Sequence, residues 1–136
     1  MKVYQGKVLR LFDPWRSPLC TCPIKYSLHP YTGCSHKCLY CYATSYIGLK
    51  ESKPKDKFID NLRKDLDKAN KNIVVELSTS SDPYPPVEEK LLLTRVTLEE
   101  LFKKGFKVLI TTKSSLVTRD IDLLMANRSA VMITIT

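Results

Sequence analysis

Apolar and polar positions alternate in two periods along the chain, and the switches between them mark out its elements. The first 24 residues carry little pattern. Val3, Val8, Leu9, Leu11 and Phe12 predict a short strand. Asp13-Pro14, Ser17-Pro18 and Cys22-Pro23 then read as an irregular lead-in, because a residue before proline is held out of the helical region. Residues 26–30 (YSLHP) predict another short strand, and a short helix is expected from about Tyr40 to Tyr46. After a charged connector at 50–57 (KESKPKDK), Phe58, Ile59, Leu62, Leu66 and Ala69 recur at steps of three and four. They predict a helix over about 56–70, stopped by Asn72.

The run IVVEL at 73–77 predicts a strand buried on both faces. STSSDPYPP at 78–86 is a loop, with Pro86 suited to the first turn of a helix reaching about Lys104. Leu91, Leu92, Val96, Leu98, Leu101 and Phe102 are its candidate core positions, and Gly105 its C-terminal cap. FKVLITT at 106–112 is a second buried strand. Thr118 is placed to cap a helix through Asn127, with Asp120 and Asp122 in its first turn, and AVMITIT at 130–136 is a further strand. Strands alternating with helices imply an α/β fold with parallel strands joined by right-handed crossovers. Chemistry in such sheets gathers at the C-terminal strand ends, here STSSDP, TTKSS and Thr134–Thr136. Residues 1–25 are therefore expected to form an irregular lead-in and 26–136 the N-terminal part of a core domain.

Composition narrows the class. A chain of 136 residues with 43% hydrophobic content suits one globular domain. No apolar run is long enough for a membrane span or a secretory leader, so no membrane partner is expected. The formal charge of +8 fits DNA, RNA or another anionic partner and also fits a plain lysine-rich surface, with nucleic acid a modest favourite as substrate. His29 and His36 are read as packing or loop residues.

Five cysteines are an odd number, and three fall in GCSHKCLYCY: Cys34, Cys38 and Cys41. Thiolates this close can wrap one face of a 4Fe–4S cluster and leave one iron without a protein ligand. Zinc is the competing metal, with Cys20, Cys22, His29 or His36 as a fourth ligand. Either use of free thiolates fits a reducing compartment, so a cytoplasmic location is expected.

The CxxxCxxC run, with Tyr40 just before its third thiol, resembles the signature of radical S-adenosylmethionine (SAM) enzymes. HPYTGCSHKCLYCYA, STSSDPYPPVEEKLLLTR and TKSSLVTRDIDLL, in that order, are similar to the branch of spore photoproduct lyase and its DNA repair photolyase-like relatives. The resemblance implies an incomplete, partial (β/α) TIM-like barrel. It implies cluster ligation by Cys34, Cys38 and Cys41, and SAM bound at the open iron. Reductive cleavage of SAM, with electrons from a separate donor, would yield a 5′-deoxyadenosyl radical that abstracts hydrogen from an unknown substrate.

By the same resemblance Tyr40 lies near the adenine, Tyr42 relays a radical, Ser81 and Asp82 line the cofactor pocket, Lys113 pairs with the methionine carboxylate, and Thr134 contacts the cofactor. Two departures stand out. Thr79 falls where the lyase carries a hydrogen-returning Cys, so spore photoproduct repair is not expected. Roughly four strands stand against the family's six, so the open sheet edge calls for further chain or a second copy. The alternatives are a zinc-stabilised nucleic-acid-binding module without catalysis, and an inactive fragment of the enzyme.

Overall fold

The computed structural model describes residues 3–12, 18–19, 21–77 and 79–135. Asp13-Pro14, Ser17, Cys20, Ser78 and Thr136, which entered the sequence reading, lie outside the described residues. The elements in chain order are β1 (Arg10–Phe12), β2 (Lys25–Leu28), β3 (Tyr31–Thr32), α1 (Thr44–Ile47), β4 (Lys53–Pro54), α2 (Phe58–Leu66) and β5 (Val74–Leu77). They continue with α3 (Glu88–Leu91), α4 (Leu93–Lys103), β6 (Val108–Thr112), a 3-10 helix (Ser115–Asp120), α5 (Ile121–Ala126) and β7 (Ser129–Ile133).

The main sheet has the order β1-β2-β5-β6-β7. Pairing is parallel from β2 through β7, with each new strand added beside the last, and β1 lies antiparallel to β2 at the opposite edge. Stepwise addition of βα units puts the C-terminal ends of β2, β5, β6 and β7 in a row along one rim, as the alternation predicts. The sheet is mixed α/β and mostly parallel, and among the described residues it is open.

The core joins sheet and helices. Tyr26, Leu28, Val75, Leu77 and Ile110 from the strands are fully buried against Leu62, Leu66, Leu98 and Leu101 from α2 and α4. The latter two helices are laced at their surface by Arg63–Glu100 (2.8 Å) and Lys104–Asp67 (2.6 Å). In β6, Val108, Ile110 and Thr112 are buried and Leu109 and Thr111 only partly, so this strand packs fully on one face, not two. Glu76 is tolerated inside β5 because Lys25 on neighbouring β2 pairs with it at 2.5 Å.

Three local expectations change. The helix expected from 86 to 104 is broken at Leu92, which takes a left-handed φ of 55°. The cause is Glu88, a buried carboxylate that accepts the Thr94 N–H (2.9 Å) and the Arg95 N–H (3.3 Å) and so caps α4 from inside the fold. Leu91 and Leu92 are consequently exposed instead of core. At the other end Gly105 (φ +81°) and Phe106 donate to Phe102 and Leu101, the two bonds of a Schellman C-cap. Before α5 the cap is Ser114, which accepts from Leu116 N–H, and Thr118 lies within the 3-10 helix. Asp120 is not a solvated first-turn acid. It is fully buried between arginines.

Candidate functional site

Residues 33–52 make an excursion closed at its base by the β3–β4 ladder, Tyr31 opposite Pro54 and Thr32 opposite Lys53. Gly33 has φ +74°, and a Cβ there would meet the Glu51 and Lys50 carbonyl oxygens at 2.5 and 2.7 Å. Only glycine lets the chain pass this close. The next residue, Cys34, donates its N–H to Lys50 O (2.9 Å). Ser35 and Ser52 then exchange backbone-to-hydroxyl bonds of 3.0 and 2.9 Å. A tight turn follows, with Cys41 N–H on Cys38 O (3.1 Å), and Thr44 donates its hydroxyl to Cys41 O (2.8 Å) at the start of α1. The cysteine loop is thus held at both ends by its own backbone.

That loop faces the strand rim. A cavity of about 210 Å³ is lined by Cys34, Cys38 and Cys41 on one side and by Ser81, Asp82, Thr112, Lys113 and Thr134 on the other. Each wall comes from a strand end: Ser81 and Asp82 follow β5, Lys113 follows β6, and Thr134, held by its N–H on Thr112 O (3.0 Å), follows β7. The three thiols are half-exposed and unbridged.

Asp82 organises the wall. Its Oδ1 accepts from Tyr84 N–H (2.9 Å) and the Thr112 hydroxyl (2.6 Å), and its Oδ2 from Lys113 N–H (2.8 Å). His36 Nε2 lies 3.2 Å from the same Oδ2 and reaches into the cavity from the cysteine loop. Asp82 therefore joins the β5 and β6 ends.

Lys113 Nζ donates to Tyr40 Oη at 2.7 Å and lies 5.2 Å from the centre of its ring. That hydrogen bond raises the Lys113 pKa above its ordinary value. Tyr40 is exposed at the rim and does not line the cavity, while Tyr42 does, its hydroxyl donating to Thr79 O at 3.3 Å. Thr79 Oγ1 in turn contacts His29 Nε2 (2.8 Å) and Ser27 Oγ (3.1 Å). Burial, aided by the Lys55 charge, lowers the His29 pKa to about 4. Thr79 and Thr112 enter the sequence reading only within the strand-end runs, Thr79 also as the counterpart of a lyase cysteine, and His36 only as a loop residue or zinc ligand; none is given a contact in the cavity wall there. Their one available signal is position, directly past a strand or between two thiols. Cys22 is exposed and does not line this cavity.

Among the described residues no group of three or more His, Cys, Asp or Glu converges on a point where one metal ion could sit. A 4Fe–4S cube does not ask for that. Each thiolate takes a different iron, so the ligands surround the group instead of meeting at a centre. Cys34, Cys38 and Cys41 are half-exposed and line the same cavity, an arrangement compatible with a group whose separate irons each take one thiolate. No helix among the described residues is long and apolar enough to cross a membrane.

Comparison with known proteins places the chain in a family. The uncharacterised protein MJ0683 of Methanocaldococcus jannaschii is 36% identical over 113 residues, covering 73% of this chain and 39% of that protein. The uncharacterised protein Rv2578c of Mycobacterium tuberculosis is 29% identical over 113 residues (75% and 33%). ORF301 of Acidianus two-tailed virus, also uncharacterised, is 32% identical over 116 residues (74% and 38%). The chain spans well under half the length of these relatives. No solved structure matches it significantly. The Radical SAM superfamily profile matches residues 28–136, from the end of β2 through the cysteine loop to β7, and the chain belongs to that superfamily.

Proposed function

We propose that this chain binds a 4Fe–4S cluster through Cys34, Cys38 and Cys41 and SAM in the adjoining cavity, as part of a radical SAM enzyme of the photolyase-like branch. The observation that carries the reading is the single cavity with three thiols on one wall and three strand ends on the other. The cluster, when bound and reduced by an external donor, supplies the electron that cleaves SAM to a hydrogen-abstracting 5′-deoxyadenosyl radical.

The chain's own residues bind and orient. Lys113 offers an ammonium for the methionine carboxylate once it leaves Tyr40, and Tyr40 then covers the adenine at the rim. Asp82 keeps the Lys113 N–H and the Thr112 hydroxyl fixed, so the wall is set before any ligand arrives. Ser81 and Thr134 supply polar contacts from the flanking strand ends. Tyr42 lines the cavity with its hydroxyl on Thr79 O, and by the resemblance it is the residue that relays a radical. Thr79 cannot return hydrogen as a thiol would, because its O–H bond is too strong. Spore photoproduct repair is therefore not part of the proposal. The charge of +8 supports a nucleic-acid substrate.

The test is anaerobic reconstitution with iron and sulfide, then dithionite and SAM, with assay of 5′-deoxyadenosine. Wild type is expected to bind about four irons per chain and form the product, while Cys38→Ala forms none. One zinc and no iron would support the nucleic-acid-binding module instead. A cluster without product would mean that this length of chain is not self-sufficient.

A further inference from the structure

The Ser80–Ser81 turn lines a second cavity besides the one that holds the cysteines. This cavity, of about 270 Å³, also takes in His29, Thr32, Lys50 and Lys55. Its lining contains two lysines and no carboxylate. Among the described residues no acid lies within ion-pair distance of either lysine. Adjacent Glu51 is paired with Lys37, and Glu88 with Arg119.

Lys55 is half-buried, and its pKa is lowered by that burial and by the Arg10 charge. A desolvated cation beside another cation is unfavourable unless an anion completes the site. His29 adds a second unfilled contact. Its Nε2 is taken by the Thr79 and Ser27 hydroxyls, while its Nδ1 is buried with no hydrogen-bond partner among the described residues.

We propose that this second cavity is an anion subsite that holds a phosphate group, gripped by Lys50 and Lys55 with the Ser80 hydroxyl beside them. Lysine serves phosphate as a compact point charge, and two such charges with no competing carboxylate suit a phosphate better than a neutral group. Because Ser80 and Ser81 line both cavities, a phosphate held here sets whatever it is attached to beside the thiols. That the attached group is the substrate rests on the function proposed above. The anion site itself does not.

The experiment titrates the folded chain, without cluster or SAM, with inorganic phosphate and with a short single-stranded oligonucleotide, at low and at physiological salt. Phosphate is expected to bind, and Lys55→Ala and Lys50→Ala each to weaken it about tenfold. Lys68→Ala, an exposed charge on the chain's surface just beyond α2, is expected to change it less than about twofold. An oligonucleotide that binds more tightly than phosphate, with the same dependence on both lysines, identifies a phosphodiester as the source. Equal affinity identifies a small phosphate ester.

Equal losses in all three variants, or no phosphate binding by wild type, overturn the subsite. Lys50 is exposed, so its variant reads binding even if Lys55→Ala perturbs the fold. Cys38→Ala is expected to keep phosphate binding while losing SAM cleavage, so the subsite and the proposed chemistry fail independently.

Discussion

A single side chain can report how tightly the strand rim is packed. His29 sits past the end of β2, bonded through Nε2 to the hydroxyls of Ser27 and Thr79. Burial first, and the Lys55 charge second, hold its pKa near 4, well below the ordinary 6.5. The unfolded chain therefore accepts a proton that the folded chain refuses. Stability from this group is complete above about pH 6.5, declines as the pH falls, and is lost by about pH 4. Urea denaturation at pH 7 and pH 4.5 should show wild type losing about 2–3 kcal/mol more than His29→Gln between the two. Equal losses would mean that His29 is already hydrated and protonates freely. The sequence favoured a packing role for this histidine over a ligand role. It could not indicate the hydroxyl partner, because Thr79 is 50 residues away and meets His29 only when β2 and β5 pair.

At the scale of elements, the amphipathic period read α2 and α4 correctly in kind, because burial of one helix face is what it encodes, while short apolar runs marked the parallel strands but overstated how fully they are buried. The period failed where a distant polar group decides. The break at Leu92 depends on Glu88 folding back to cap α4, which no local pattern reveals. The same holds for the lead-in. Asp65 looks like a solvated residue on α2, yet it is buried and accepts Val8 N–H (2.8 Å), Leu9 N–H (3.0 Å) and the Tyr4 hydroxyl (2.9 Å). Burial pushes the Asp65 carboxyl up, and these bonds outweigh it, leaving its pKa below the ordinary value. Gly6 is the reason the segment can approach, since a Cβ there would lie 2.3 Å from the Asp65 carboxylate. Gly6→Ala must push the chain off this acceptor, and is expected to cost about 2–3 kcal/mol in chemical denaturation. A change within about 0.5 kcal/mol would show that the lead-in moves aside without loss.

Across the whole molecule, the part of the site legible in sequence was the part written as local runs: the three thiols and the strand-end loops that face them. What holds those runs in place is a buried ionic network that joins elements far apart in the chain. Arg119 in the 3-10 helix donates to Glu88 Oε1 (2.8 Å) and to Asp120 Oδ2 (2.9 Å). Tyr31 from β3 donates to Glu88, Tyr84 to Asp120 (2.9 Å), and Arg95 from α4 to both Asp120 (2.9 Å) and Asp122 (2.8 Å). Burial pushes the Asp120 carboxyl up, but the bonds from Arg119, Arg95 and Tyr84 outweigh it and hold its pKa below the ordinary value. Both carboxylates are fully buried, so their charges are tolerable only with these partners. Arg119→Met leaves Glu88 short of its cationic partner and is expected to cost about 3–5 kcal/mol. The double variant Arg119→Met with Glu88→Gln removes the stranded charge along with its partner. It should recover a substantial part of that loss, because an uncompensated charge costs more than a missing pair. Urea denaturation of wild type and the two variants decides it. If the double variant is no more stable than Arg119→Met alone, the stranded Glu88 charge is not what the single variant loses, and the loss lies in the Glu88 cap of α4 or the Arg119 contact with the Tyr84 ring.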